Sequence, residues 1–196
     1  MDINVLLFDR FESLDVFGPV EVLSKIEHYN LNYYSYHGGM VVSDQNTIII
    51  TKPFSEMNKS GICLIPGGQG TRGLVDDFDF IESLKDIVIH ASYCLSVCTG
   101  SALLAKTGLL LYRHATTNKL AFNWVCSVSN GVLWSKKARW VVDDKYYTSS
   151  GVSAGIDMAL GFIHDRFGLE EALRISNRIE YVWNQDKDND PFAIAF

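Results

Sequence analysis

The chain has 196 residues, a length that suits one domain, and its 47% hydrophobic content supplies a sizeable core and excludes intrinsic disorder. A net charge of −6 argues against an electrostatic grip on nucleic acid, no apolar run approaches the roughly 20 residues that span a bilayer, and Met1-Asp2-Ile3-Asn4 lacks the basic start of a signal peptide. Four cysteines (Cys63, Cys94, Cys98, Cys126) are too few for a disulfide scaffold and point to reduced thiols in a cytoplasmic protein.

Asn4 to Phe8 (NVLLF) is a short buried-strand run. Leu14 to Ile26 has a helical period, with Phe17, Val20, Leu23 and Ile26 on one face and Pro19 near the first turn. Strands are expected over Leu31–Tyr36 and Thr47–Ile50. The continuous apolar run Ile62–Ile65 (ICLI) ends at Pro66-Gly67-Gly68-Gln69-Gly70. A helix follows over Asp79–His90, then a strand over Ser92–Val97, and directly after it a small-residue-rich helix over Thr99–Thr107. Leu120–Cys126 reads as helical. Val132–Trp134, Ala138–Val142 and Lys145–Thr148 read as strands, the last two a hairpin about Asp143-Asp144. Gly151-Val152-Ser153-Ala154-Gly155 opens a long apolar helix to Arg166, and a last helix runs from Leu169 to Trp183. Short apolar strands alternating with helices predict one α/β domain over residues 1–196, a mainly parallel sheet sandwiched by helices.

Ligands of such sheets bind beyond the carboxyl ends of the strands. The predicted strands deliver Asp15, the Gly67-Gly68 turn, Cys98, and Ser150-Gly151-Val152 to that edge. Leu95-Ser96-Val97-Cys98-Thr99-Gly100-Ser101-Ala102 passes from strand to helix with no loop residues to spare, which is the geometry of a nucleophile elbow with Cys in place of Ser. A helix N-terminus there would favour the thiolate and lower the thiol pKa. The plainer alternative is a buried small hydrophobe, the reading given to Cys63, Cys94 and Cys126. Asp15 suits a helix N-cap, or an acid placed over the thiol. The glycine turn could aim N–H groups at developing negative charge, although tight turns need Gly in any case.

The five histidines (His28, His37, His90, His114, His164) are scattered without ligand spacing, so no metal site and no cofactor is expected. Asp186-Lys187-Asp188-Asn189-Asp190 opens like a calcium loop but lacks its Gly and distal Glu, so a solvated turn is expected. Asp157, inside an apolar run, reads as a satisfied buried carboxylate.

Leu14-Asp15-Val16-Phe17-Gly18-Pro19, Ile65-Pro66-Gly67-Gly68, Ser96-Val97-Cys98-Thr99-Gly100, Ala115-Thr116-Thr117 and Gly151-Val152-Ser153-Ala154-Gly155-Ile156-Asp157 resemble, in order, the motifs of the ThiJ/PfpI superfamily, which has the flavodoxin-like fold of class I glutamine amidotransferases. The Leu-Asp-x-x-Gly-Pro and Cys-Thr-Gly motifs are similar to those of its isocyanide hydratase branch. The resemblance implies Cys98 as nucleophile, Asp15 as its acid partner and Thr99 as a hydrogen-bonding neighbour. It further implies an oxyanion-type pocket built from Thr99, Gly68, Gly67 and Val152, a small-molecule substrate and a homodimer. Two departures stand out: Thr99 and Asn118 occupy positions where other members carry histidine. No histidine base is therefore expected near Cys98, which argues against a peptidase. No appended helix-turn-helix is expected after the last helix. Three readings remain: a hydratase converting R–N≡C to an N-formamide, an amidase or amidotransferase-like hydrolase, and a redox sensor without turnover using the same thiol. Phe17, Phe122, Trp124 and Trp183 are candidate walls for an apolar ligand.

Overall fold

Apolar runs in the sequence become the middle strands of one sheet. In the computed structural model, which describes residues 1–193, β1 (Asp2–Leu6) leads through α1 (Ser13–Leu23) to β2 (Asn30–Ser35), β3 (His37–Val42) and β4 (Ile48–Pro53). Next come β5 (Ile62–Ile65), the one-turn α2 (Thr71–Leu74), α3 (Phe78–His90), β6 (Tyr93–Val97) and α4 (Gly100–Lys106). β7 (His114–Ala115), α5 (Phe122–Val128) and β8 (Leu133–Trp134) form an excursion before the hairpin of β9 (Trp140–Asp143) and β10 (Tyr146–Ser149). α6 (Ala154–Phe167) and α7 (Leu169–Arg178) complete the fold. No helix among the described residues is long and apolar enough to cross a membrane.

The sheet has eight strands in the order β3-β4-β2-β1-β5-β6-β10-β9, parallel from β4 through β10, with an antiparallel strand at each edge. β5 is buried at every residue, as a strand covered on both faces must be. The chain moves outward from β1 to β2 on one side and from β5 to β6 and β10 on the other. The winding therefore reverses between β1 and β5, and a crevice forms beyond their carboxyl ends. Helices flank the sheet: α1 packs on α6 and α6 on α7, while α4 touches α2, α3 and α5. Gly18 and Gly155 allow α1 and α6 to approach closely: a Cβ on Gly18 would lie 2.7 Å from Ile156, and one on Gly155 2.9 Å from Val97 and 3.1 Å from Pro19.

Edge strand β3 escaped the sequence pattern. Gly38 and Gly39, at φ +72° and +88°, interrupt its alternation, and β4 is the only strand it pairs with among the described residues. α1 begins at Ser13 and stops at Leu23, so Asp15 lies inside its first turn rather than at the cap, which is Glu12. α7 ends at Arg178, where Glu180 turns to φ +51°, and not at Trp183.

The expected solvated turn at Asp186–Asp190 needs a larger correction. Asp186 and Asp188 are exposed, but Asp190 is buried, 3.7 Å from the equally buried Arg139. Arg139 Nε also donates to Asp157 at 2.6 Å, and Asp157 accepts the Asn184 backbone N–H at 3.0 Å. Asp157 is thus a satisfied buried carboxylate that pins the C-terminal segment to α6. Nearby, the buried Lys119 ammonium donates to the Ala138 carbonyl at 2.6 Å and to Thr116 Oγ1 at 2.9 Å. Burial lowers its pKa from 10.5 to about 8, against the opposing pull of Asp190. Removing one partner of a buried pair strands the other charge. Asp157→Ala is expected to lower stability by about 3 kcal/mol in urea unfolding, whereas Lys85→Ala, which removes the exposed Lys85–Glu82 pair, should leave the midpoint nearly unchanged.

Candidate active site

Four chain segments meet at the crevice. Cys98 follows β6 at φ +57°, a left-handed conformation that a non-glycine residue adopts only when its surroundings hold it there. Its N–H donates to the Ser150 carbonyl at 3.1 Å and to the Ser149 carbonyl at 3.3 Å, while its own carbonyl accepts from Thr117 Oγ1 at 2.8 Å and Ser101 Oγ at 3.0 Å. The strand-to-helix elbow read from the sequence is thus clamped on both sides of its peptide. Cys98 as a whole is only 7% exposed.

Asp15 comes from the first turn of α1 and is fully buried. Its Oδ2 accepts the Gly67 N–H at 2.9 Å. Its Oδ1 has no hydrogen bond of good geometry, a costly state for a buried carboxylate and a milder one for a carboxylic acid. The side chain interacts directly with Cys98. Burial drives the Asp15 carboxyl from 3.8 to about 8, the Gly67 N–H pulls the other way, and the charge of Glu12 adds to the rise. Gly67 has to be glycine, since a Cβ would sit 2.6 Å from the Thr99 nitrogen and 2.9 Å from Asp15 Oδ2.

Burial also pushes the Cys98 thiol well above its usual range, and Asp15 adds to this. The backbone N–H groups of Thr99 and Val152 point at the sulfur and oppose the rise. The expected lowering by a helix N-terminus does not prevail. α4 is a short helix of seven residues and the thiol beside it is dry. Val152 makes its contact from φ +45°, in the turn between β10 and α6.

Thr99 does more with its side chain than with its backbone. Its Oγ1 accepts from the Gly68 N–H at 3.1 Å and lies 3.1 Å from Thr71 Oγ1. The amides of Gly67 and Gly68 are therefore already engaged, by Asp15 and Thr99, and the donors directed at the sulfur are those of Thr99 and Val152. The structure brings all six predicted site residues together, with the two glycines holding partners in place.

The cavity beside Cys98 has a volume of about 230 Å³. Its floor is Cys98, Thr99, Gly68 and Val152, with Leu120 and Ala121 on one side. The rest is polar: Glu12, Asp44, Gln69, Arg72 and Asn118. None of the four expected aromatic walls lines it. Phe17 lies on the outer part of α1, Trp183 borders a separate cavity with Trp140, and Trp124 approaches only through Arg72, which stacks on its ring at 3.4 Å. No histidine lines the cavity. Asn118 accepts the Ala121 N–H at 2.9 Å, capping the turn that leads into α5, and also borders the cavity. The polar rim escaped the sequence analysis because it depends on loops from distant segments. Only the glycine turn before Arg72 gave a local signal.

Residues 1–165 match the DJ-1/PfpI family. The chain belongs to that family. An isonitrile hydratase of Pseudomonas putida is 29% identical over 185 residues, which is 93% of this chain and 79% of that protein. The crystal structure of a ThiJ/PfpI family protein from Pseudomonas syringae is similar with a TM-score of 0.83 at 25% identity, covering 97% of this chain and 76% of that one. DJ-1beta of Drosophila melanogaster shares the fold with a TM-score of 0.78 at 16% identity, over 93% of this chain and 98% of its own.

The raised Asp15 carboxyl fixes the sign of a pH effect. The folded DJ-1/PfpI domain keeps a proton that the unfolded chain releases near its ordinary value of 3.8. This contribution to stability is fully present below that value and is lost as pH rises through about 8. Melting temperature measured from pH 4 to 8 should therefore decline in the unaltered chain, and more shallowly in Asp15→Asn.

Proposed function

We propose that this DJ-1/PfpI protein hydrates an isocyanide to an N-formamide through Cys98. The observation that carries the reading is the buried Asp15–Cys98 pair, in which a carboxyl held as an acid up to about pH 8 lies against a dry thiol. The similarity to an isonitrile hydratase over most of both chains supports it.

The chemistry follows from the pair. The terminal carbon of R–N≡C approaches Cys98 Sγ. A C–S bond forms while the thiol proton passes to Asp15 and the Asp15 proton passes to the carbon, giving the thioimidate R–N=CH–S–Cys98 and leaving Asp15 protonated. Negative charge developing on sulfur is met by the Thr99 and Val152 N–H groups. Water then adds to the same carbon, the C–S bond breaks, and R–NH–CHO leaves with the thiol restored. Overall one water is added, and nothing is oxidised or reduced. An adjoining hollow of about 300 Å³, lined by Leu120, Val152 and Phe192 among others, offers room for an apolar R group.

The polar rim favours a second reading, hydrolysis of a small amide, in which Asp15 would protonate the departing amine; this predicts ammonia release and no action on isocyanides. A redox-sensor role has less support, because oxidation follows thiolate character and exposure, and the Cys98 thiol is buried and shifted upward.

The test is the loss of an aromatic isocyanide, followed by absorbance, with formamide identified as product. The unaltered chain should turn it over, Cys98→Ser should not, and equal rates for the two would end the proposal. Asp15→Asn should lose about 10²–10⁴-fold in rate. Activity should fall as pH rises through about 8, where Asp15 gives up its proton.

A further inference from the structure

We propose that Arg72 is an anion-recognition residue of the Cys98 cavity, and that the substrate carries a carboxylate. Arg72 leaves the glycine turn after β5 in the short helix α2, and its side chain borders the same cavity as Cys98. Among the described residues no carboxylate lies within ion-pairing distance of its guanidinium, and no side-chain hydrogen bond holds it. Its one partner is the Trp124 ring, 3.4 Å from the guanidinium carbon, which fixes the plane of the fork through cation–π stacking. Stacking occupies a face of the guanidinium and leaves its N–H edges open. Those edges match the two oxygens of a carboxylate. Both Arg72 and Cys98 line the cavity, and its volume of about 230 Å³ is small enough for one compact molecule to reach both.

The other charges on the rim set the direction. Asp44 is occupied: Oδ1 accepts from Arg10 Nε at 3.1 Å and Oδ2 from the Gln69 N–H at 3.0 Å. Glu12 accepts from Gln45 Nε2 at 3.0 Å, and among the described residues no cation pairs with it. A substrate carboxylate is thus repelled from the Glu12 side and drawn to Arg72, which orients the reacting carbon toward Cys98. The inference rests on the hydratase reading only for the identity of that reacting group, so the predicted substrate class is carboxylate-bearing isocyanides.

The experiment uses a pair of alkylating agents that differ mainly in charge. Rates of Cys98 alkylation by iodoacetate and by iodoacetamide are measured by peptide mass spectrometry, which separates Cys98 from the partly exposed Cys126. The ratio of the two rates cancels any change in thiolate fraction, and a purely structural role for Arg72 would not move it. Arg72→Gln should lower the iodoacetate-to-iodoacetamide ratio by about tenfold, the size of a charge-assisted contact, and Arg72→Lys by less. On the unaltered chain, propionate should slow alkylation by iodoacetamide and propionamide should not. An unchanged ratio in Arg72→Gln, or equal protection by the two additives, would overturn the proposal. If no isocyanide is hydrated while the ratio still depends on Arg72, the hydratase reading falls and the anion site stands. If neutral isocyanides are hydrated and the ratio ignores Arg72, the anion site falls alone.

Discussion

Everything at the crevice answers to one constraint: a carboxyl and a thiol are buried together where few dipoles can solvate them. In water Asp15 would be ionised at neutral pH. Here it has one backbone N–H on one oxygen and no well-placed donor on the other, so its acid form is the stable one. The thiol is under the same pressure, relieved in part by the Thr99 and Val152 N–H groups. Burial therefore favours the protonated form of both groups, and in the proposed reaction they would exchange those protons only with a reacting carbon placed between them. A wetter site would leave Asp15 as an anion, and a drier one without those N–H groups could not carry charge on sulfur at all.

The dry floor and the polar rim divide the work. The floor is built from backbone and small side chains, with Gly67 accommodating the approach of Asp15 and Thr99, so it has little freedom to vary in shape. The rim is made of long side chains from separate loops, each reaching the cavity from its own direction. In the proposed reaction, bond making would belong to the floor and choice among substrates to the rim. Under the proposed reaction a polar opening coexists with a buried floor: Arg72 and Glu12 would meet the far end of a ligand, while Asp15 and Cys98 would meet its reacting carbon.

What the sequence disclosed and what it withheld follow the same division. The Cys98 elbow, the Gly67-Gly68 turn and the delivery of Asp15 to one edge were legible because each follows from a local pattern plus the rule that parallel strands end together. The α/β class came from the same short apolar runs, whereas the reversal of winding between β1 and β5 is visible only in the strand order of the folded sheet. Asp15 was ambiguous between cap and acid because the two differ by three residues in where α1 begins, a margin that propensity does not resolve. Arg72, Glu12 and Asp44 were not legible, since their meeting depends on three loops far apart in the chain. Asp190 was misread for a related reason. A run rich in Asp looks solvated unless the buried Arg139 that claims one of its members is already known.

Arg139 also connects that distant ion cluster to the site. Its carbonyl accepts the Ser150 N–H at 2.8 Å, and the Ser150 carbonyl in turn accepts the Cys98 N–H at 3.1 Å. Two residues further on, Val152 supplies an N–H to the sulfur, and five beyond that Asp157 grips the Arg139 side chain. The β10–α6 turn is therefore held at both ends by a single residue, through its backbone at Ser150 and its side chain at Asp157. Apolar replacements could match the burial of this ion pair without its desolvation cost, but they would not reproduce the directional link from Asp157 to the residue whose carbonyl holds Ser150. Seen this way, the buried charges matter less for how much they stabilise than for where they place one peptide N–H. The sulfur depends on that placement, because Val152 and Thr99 are the donors that oppose the cost of charging it in a dry pocket.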